Sequence, residues 1–173
     1  MHAPSTGRPV AVYLLVLLVT FLSIGASGGG IALLADVSGG VIHMPLQVLS
    51  GTPFRSFLVP GLTLLLLLGL FPGFLVYPLL RTPEWRWAGF LNIHRRQHWA
   101  WTYSLYAGIM LVLWIDFQIM FVGYIHPLQT ICALAGVAII ACALFPSVMR
   151  HFGTLPEKWP PQANAENIDR SHA

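Results

Sequence analysis

Residues 99–122 read WAWTYSLYAGIMLVLWIDFQIMFV, an apolar run with aromatics crowded at its start and a single carboxylate, Asp116, near its end. About 20 apolar residues suffice to cross the hydrocarbon core of a bilayer, so this run is long enough to span one. Trp99, Trp101, Tyr103 and Tyr106 fall where a spanning helix leaves the headgroup layer, and such rings favour that boundary because one end is apolar and the other polar.

The rest of the chain fits this reading. Of 173 residues, 56% are hydrophobic and 9% charged, whereas soluble domains carry about 25% charged residues. A bilayer protein needs little polar surface. Three further apolar runs, 10–35, 57–80 and 128–149, are long enough to span. The expected fold is an all-α integral membrane protein, with four transmembrane helices in an up-down bundle. The domain plan is a tail at 1–9, one membrane domain over 10–149 and a proline-containing tail at 150–173. Residues 10–35 also have features of a secretory signal, but the run is long for one and further spans follow. It reads as a retained first helix, and cleavage would leave three spans.

The connections have their own chemistry. Between the first two spans, Pro45 to Leu49 suggests a short interfacial or re-entrant helix, and Thr52-Pro53 reads as a helix cap followed by a first-turn proline. Between the second and third, Thr82-Pro83-Glu84 again reads as a helix start. Trp85, Trp87, Arg95 and Arg96, with Trp99 and Trp101 beyond them, suggest an interfacial turn of helix at the headgroups. Arginines beside aromatics also occur in nucleic-acid binders, but a segment held between two spans does not suit that role, and no nucleic-acid partner is expected.

Orientation follows from the nine basic residues. With four spans, Arg8, Arg81, Arg86, Arg95, Arg96, Arg150, Lys158 and Arg170 share one side, leaving Arg55 alone on the other. The positive-inside rule makes both termini cytoplasmic and the location the inner cell membrane. The general form is that of small bacterial four-span proteins, a likeness of architecture that carries no activity.

Small residues recur four apart: Ser23/Ser27, Gly25/Gly29, Ala26/Gly30, Gly69/Gly73 and Cys132/Gly136. This spacing bares one helix face so that a neighbour can approach closely, and Gly25, Gly29, Gly69, Gly73 and Gly136 are the expected packing positions. Pro72, between two of these glycines, is expected to kink its helix and free a carbonyl. Cys132 and Cys142 read as packing residues, about 15 Å apart along one helix and too far for a mutual disulfide.

The intramembrane polar candidates are Asp116, Gln118, Gln129 and Arg55. Asp116 falls about 12 Å from the outer end of its helix. A charge at such depth costs several kcal/mol unless paired, hydrated or protonated. Gln118 lies roughly 200° around the helix from Asp116, so the two face different neighbours. Asp116 shares its side with Val112 and Met120. Arg55 is placed to reach Asp116, and Gln129 to meet Gln118.

Histidine pairs such as His43 with His126 and His98 with His151 are the candidates for a haem, whose axial ligands must come from opposite faces. All four lie at helix ends or in connections, shallow for a buried b-type haem. A bound lipid or pigment is a further cofactor class, and no metal site is expected. No nucleotide loop, zincin motif, paired CxxC or nucleophile elbow occurs. The chain therefore reads as a non-catalytic accessory or structural subunit, with the bilayer and other membrane subunits as partners. The alternatives are a small transporter or proton pathway using Asp116, and a haem-binding redox protein.

Overall fold

The computed structural model describes residues 8–83, 85, 88, 90–94 and 97–153. Trp87, Arg95 and Arg96, and most of both tails, lie outside the described residues, as does much of the expected interfacial turn before residue 98. Among the described residues the elements are α1 (Val10–Ala35), a 3-10 turn (Leu46–Leu49), α2 (Leu58–Arg81), α3 (Trp99–Val122), α4 (Pro127–Leu144) and α5 (Pro146–Phe152). The first four of these helices are long and apolar enough to cross a membrane.

α1 is apolar on all sides, so hydrophobicity alone does not choose its buried face. Val12, Leu15, Val19, Leu22, Ala26 and Gly30 are buried, a three-four spacing that makes one stripe. α2 runs antiparallel along this helix. Gly61 lies opposite Leu33 and Leu34, Gly30 opposite Leu65, Gly69 opposite Ser27, and Gly73 opposite Ser23. α3 and α4 form a second antiparallel pair, crossing where Gly108 meets Gly136. α1 also touches α4, and α2 touches α3.

The second helix contains a wide turn. Leu64–Leu70 is π-helical, and the Phe71 N–H donates to Leu66 O, a five-residue step. The next donor in that register would be Pro72, which has no N–H. The proline thus acts here through a π segment in the preceding turns. Within that segment the Gly69 carbonyl accepts from Ser23 Oγ on α1 at 2.8 Å.

Several proline signals act differently from their local reading. Thr52 does not cap α2. Its Oγ1 donates to Leu49 O at 2.9 Å and accepts from Phe54 N–H at 3.1 Å, closing a turn well before the helix begins at Leu58. Thr82 ends a helix: it is left-handed (φ 43°, ψ 52°), and its N–H donates to Pro78 O. The expected fourth span, 128–149, is two helices. Phe145 is extended (ψ 133°), and Pro146, which cannot donate onward, opens α5. α5 turns back so that Phe152 O accepts the His98 N–H at 2.7 Å, beside an isolated antiparallel bridge between Gln97 and Gly153.

Candidate functional site

Small residues make a close seam between α1 and α2. A Cβ built on Gly30 would lie 2.8 Å from the Leu65 backbone nitrogen, and one on Gly69 would lie 3.1 Å from Ser27 Cα. One on Gly73 would meet Ser23 Oγ at 2.6 Å. Gly29 faces only the tip of Leu64, at 3.1 Å, and Gly25 faces open space. The seam is therefore the Ser23/Ser27/Gly30 side of α1, one residue round from the Gly25/Gly29 spacing. On α3 and α4, a Cβ on Gly136 would meet Val112 Cγ2 at 2.8 Å, and one on Gly108 would meet Ile140 Cγ1 at 2.9 Å. Gly108 has Ser104 four before it on the same helix, a pair not among the packing positions read from the sequence.

The start of α3 is a polar-aromatic anchor. Trp101 is buried, and its Nε1 donates to Ala143 O at 2.7 Å. Ala143 is in the last turn of α4, where the break at Phe145 removes the helical donor, so the indole supplies the missing bond. Tyr103 OH donates to Ala88 O at 2.8 Å, and Trp99 Nε1 to Pro83 O at 3.0 Å. Thr102 Oγ1 donates to Asn92 Oδ1 at 2.6 Å, and Asn92 Nδ2 in turn to Gln97 O at 2.9 Å. Trp85 stacks on Trp99, their centroids 5.5 Å apart. These bonds tie the connecting segment to α3, and their chemistry is structural.

The histidines are engaged singly. His98 caps α3: Nδ1 accepts from Ala100 N–H at 3.2 Å, while Nε2 lies 3.1 Å from Pro83 O. That pattern fixes the Nε2–H tautomer. His126 caps α4, with Nδ1 accepting from Leu128 N–H at 3.1 Å. His43 is exposed and left-handed (φ 53°), and His151 packs its ring against Phe152. Among the described residues no group of three or more His, Cys, Asp or Glu side chains gathers as a metal site. Cys132 and Cys142 are free thiols.

Toward the α3–α4 turn the polar candidates are separated. Asp116 is exposed and makes no hydrogen bond or ion pair among the described residues. Arg55 is exposed too and does not pair with it. Gln118 is half-buried, and Gln129 does not meet it. Gln129 instead closes the α3–α4 turn, its Oε1 accepting from Ile125 N–H at 2.9 Å and its Nε2 donating to Gly123 O at 3.2 Å. With His126 this makes a reciprocal capping box, a local duty that holds the glutamine at the turn.

Asp116 belongs to an exposed strip. Ile109, Leu113 and Met120 are 39%, 61% and 68% exposed, and with Asp116 they follow the spacing i, i+4, i+7, i+11 along one side of α3. Beside this strip, between α2 and α3, is a groove of 290 Å³ lined by Phe54, Thr63, Leu67, Met110, Trp114 and Phe117, among others. The Trp114 indole nitrogen is buried, with no hydrogen-bond acceptor among the described residues.

Two groups outside the spans titrate in a shifted range. Ser38, through its hydroxyl and its N–H, holds the Asp36 carboxyl below its usual value, with the Gly40 N–H adding to this. Burial, and then the charge of Arg8, lowers the His151 imidazole. Both folded-state values are depressed, so both contributions are full above the unfolded value and lost as pH falls through the folded one. For His151 the window begins below about pH 6.5. Thermal melting of the solubilised protein should fall between about pH 7.5 and about pH 5, and His151→Gln should flatten that slope. The Asp36 contribution should fade only in stronger acid.

Comparison of this chain with protein-family models, with curated proteins and with solved protein structures finds no match.

Proposed function

We propose that this chain is a non-catalytic subunit of a larger inner-membrane assembly, and that the Ile109–Leu113–Asp116–Met120 strip of α3 is its docking face. The observation that carries the reading is the exposed, unpaired Asp116. A carboxylate facing hydrocarbon about 9 Å from the helix end is costly, and a partner that brings a donor or cation removes that cost. The flanking Ile, Leu and Met supply the apolar contact that a second helix would need.

The four long helices then run up and down across the bilayer, with the Leu46–Leu49 turn near the outer surface and both termini in the cytoplasm. The bias of eight basic residues to one side supports this orientation. A proton pathway would be served by a connected polar line, whereas no hydrogen bond links Asp116, Gln118, Thr63 and Gln129.

The partner expected is a membrane protein with a basic or amide side chain in the outer half of a span. Purification of the tagged chain from native membranes in mild detergent should give a fixed-stoichiometry complex with one such protein. A monodisperse single chain under the same conditions would overturn the reading.

A further inference from the structure

We infer that the partner seated on the α3 strip is a second copy of this chain, with Arg55 of each copy paired to Asp116 of the other. The inference rests on the docking reading of that strip and names its occupant. Three observations converge on it.

The first is charge. Arg55 and Asp116 are both exposed, and neither makes an ion pair among the described residues. Between Arg8 and Arg81 the sequence has one Lys or Arg, Arg55, and between Arg96 and Arg150 it has none. Asp36, the other acid of the α1–α2 connection, is engaged in its own turn by Ser38 and Gly40. The second is level. The connection descends along α3: a Cβ on Gly51 would lie 3.1 Å from Phe121 O, and the Phe54 ring packs on that of Phe117 with centroids 6.2 Å apart. Arg55 follows Phe54, so its backbone stands within about one helical turn of Asp116 along the axis. Copies inserted with one orientation are related by an axis along the membrane normal, so residues at one depth in one copy meet that same depth in the next. The third is order around the helix. At about 100° per residue, the open side of α3 runs from Val112 through Asp116, Met120 and Leu113 to Phe117. Val112 packs at Gly136 of α4, and Phe117 carries Phe54. Asp116 is thus on the α4 edge of the strip, and the residue after Phe54 belongs to the opposite edge. A two-fold axis through the strip sets the α4 edge of one copy against the opposite edge of the other, so both pairs form at once.

A different membrane protein would bring its own cation to Asp116 and would leave Arg55 without a duty. The test separates the two. Two differently tagged full-length chains are co-expressed in native membranes, extracted in mild detergent and captured through one tag, and the second tag is quantified.

The wild-type chains should be captured together. Arg55→Asp paired with itself, or Asp116→Arg paired with itself, should lower capture about 30-fold or more, since like charges then face each other. Arg55→Asp co-expressed with Asp116→Arg should restore capture, because both pairs of that mixed dimer are again opposite in charge. Thermal melting checks that each variant folds. Should Asp116→Arg fail to insert, copies carrying Arg55→Cys and Asp116→Cys, in a Cys132→Ala, Cys142→Ala background, decide the matter: a disulfide is expected in the mixed pair and in neither variant alone. Absence of co-capture in the wild type, capture indifferent to Arg55→Asp, or no rescue by the mixed pair of folded variants would overturn the inference. Capture of a different membrane protein in place of a second copy, lost with Asp116→Leu, would overturn it and leave the docking reading standing, whereas a chain that captures neither would overturn both.

Discussion

Gly30→Ala should destabilise the protein by about 1–3 kcal/mol, while Gly25→Ala, five residues earlier on the same helix, should change stability by less than about 0.5 kcal/mol. The contrast comes from what the new methyl would meet. At Gly30 it would fall 2.8 Å from the backbone nitrogen and from the Cβ of Leu65, and 2.9 Å from its Cα. Those atoms belong to the π-helical segment of α2 and cannot swing aside as a side-chain tip can. The helices must separate, and loosened packing then spreads along the seam. At Gly25 nothing lies within 4 Å, so the methyl gains helix propensity and displaces no protein atom. Gly69→Ala should fall nearer to Gly30→Ala, because the Ser27 hydroxyl at 2.6 Å can rotate but the Ser27 Cα at 3.1 Å cannot. Reversible unfolding of the solubilised protein measures all three. Equal losses for Gly30→Ala and Gly25→Ala would mean that α1 and α2 do not meet along this face.

How much of this was legible in the chain depended on the kind of signal. The limits of α1 and α3 coincide with abrupt changes of composition, at Val10 and Ala35 and at Trp99 and Val122, and there the amino acids alone suffice. Proline punctuation was less transparent. Thr52-Pro53 and Thr82-Pro83 carry the same local code, yet one closes a turn and the other follows a helix end, because tertiary contacts settle what a Thr hydroxyl and a left-handed residue do. Pro146 was legible as a feature near the end of a span but not as the break that frees Ala143 O for Trp101. That bond joins residues 42 apart and has no local signature.

The small-residue spacing predicted a close seam but not which of its overlapping faces is used. α1 is apolar all round, so the face is chosen by the shape of α2, whose π turn shifts the register of Gly69. For the polar candidates, the helical angle separated Asp116 from Gln118, which the structure finds exposed and half-buried respectively. The pairings suggested for Arg55 and Gln129 depended on how connections travel. Gln129 instead satisfies the backbone of its own turn.

The second large effect is expected at Asp116. On the insertion scale an aspartate at the centre of a span costs about 2.5–3.5 kcal/mol. Asp116→Leu should therefore leave the isolated chain at least as stable as the wild type, because no bond to a described residue is lost. The same substitution should weaken association with the partner by about 30-fold or more, since the partner's donor is left buried and unpaired. Asp116→Asn, which keeps hydrogen bonding but loses charge, should fall between. A purely structural aspartate would behave in the opposite way, with the isolated chain destabilised.

The docking strip is tested most directly by a photo-crosslinker placed at Met120 in native membranes, with Leu134 on α4, 63% exposed, as the control position. The account predicts a discrete protein adduct from Met120 that is lost when Asp116→Leu is introduced, and lipid adducts alone from Leu134. Lipid adducts alone from Met120, or a protein adduct indifferent to Asp116→Leu, would contradict it.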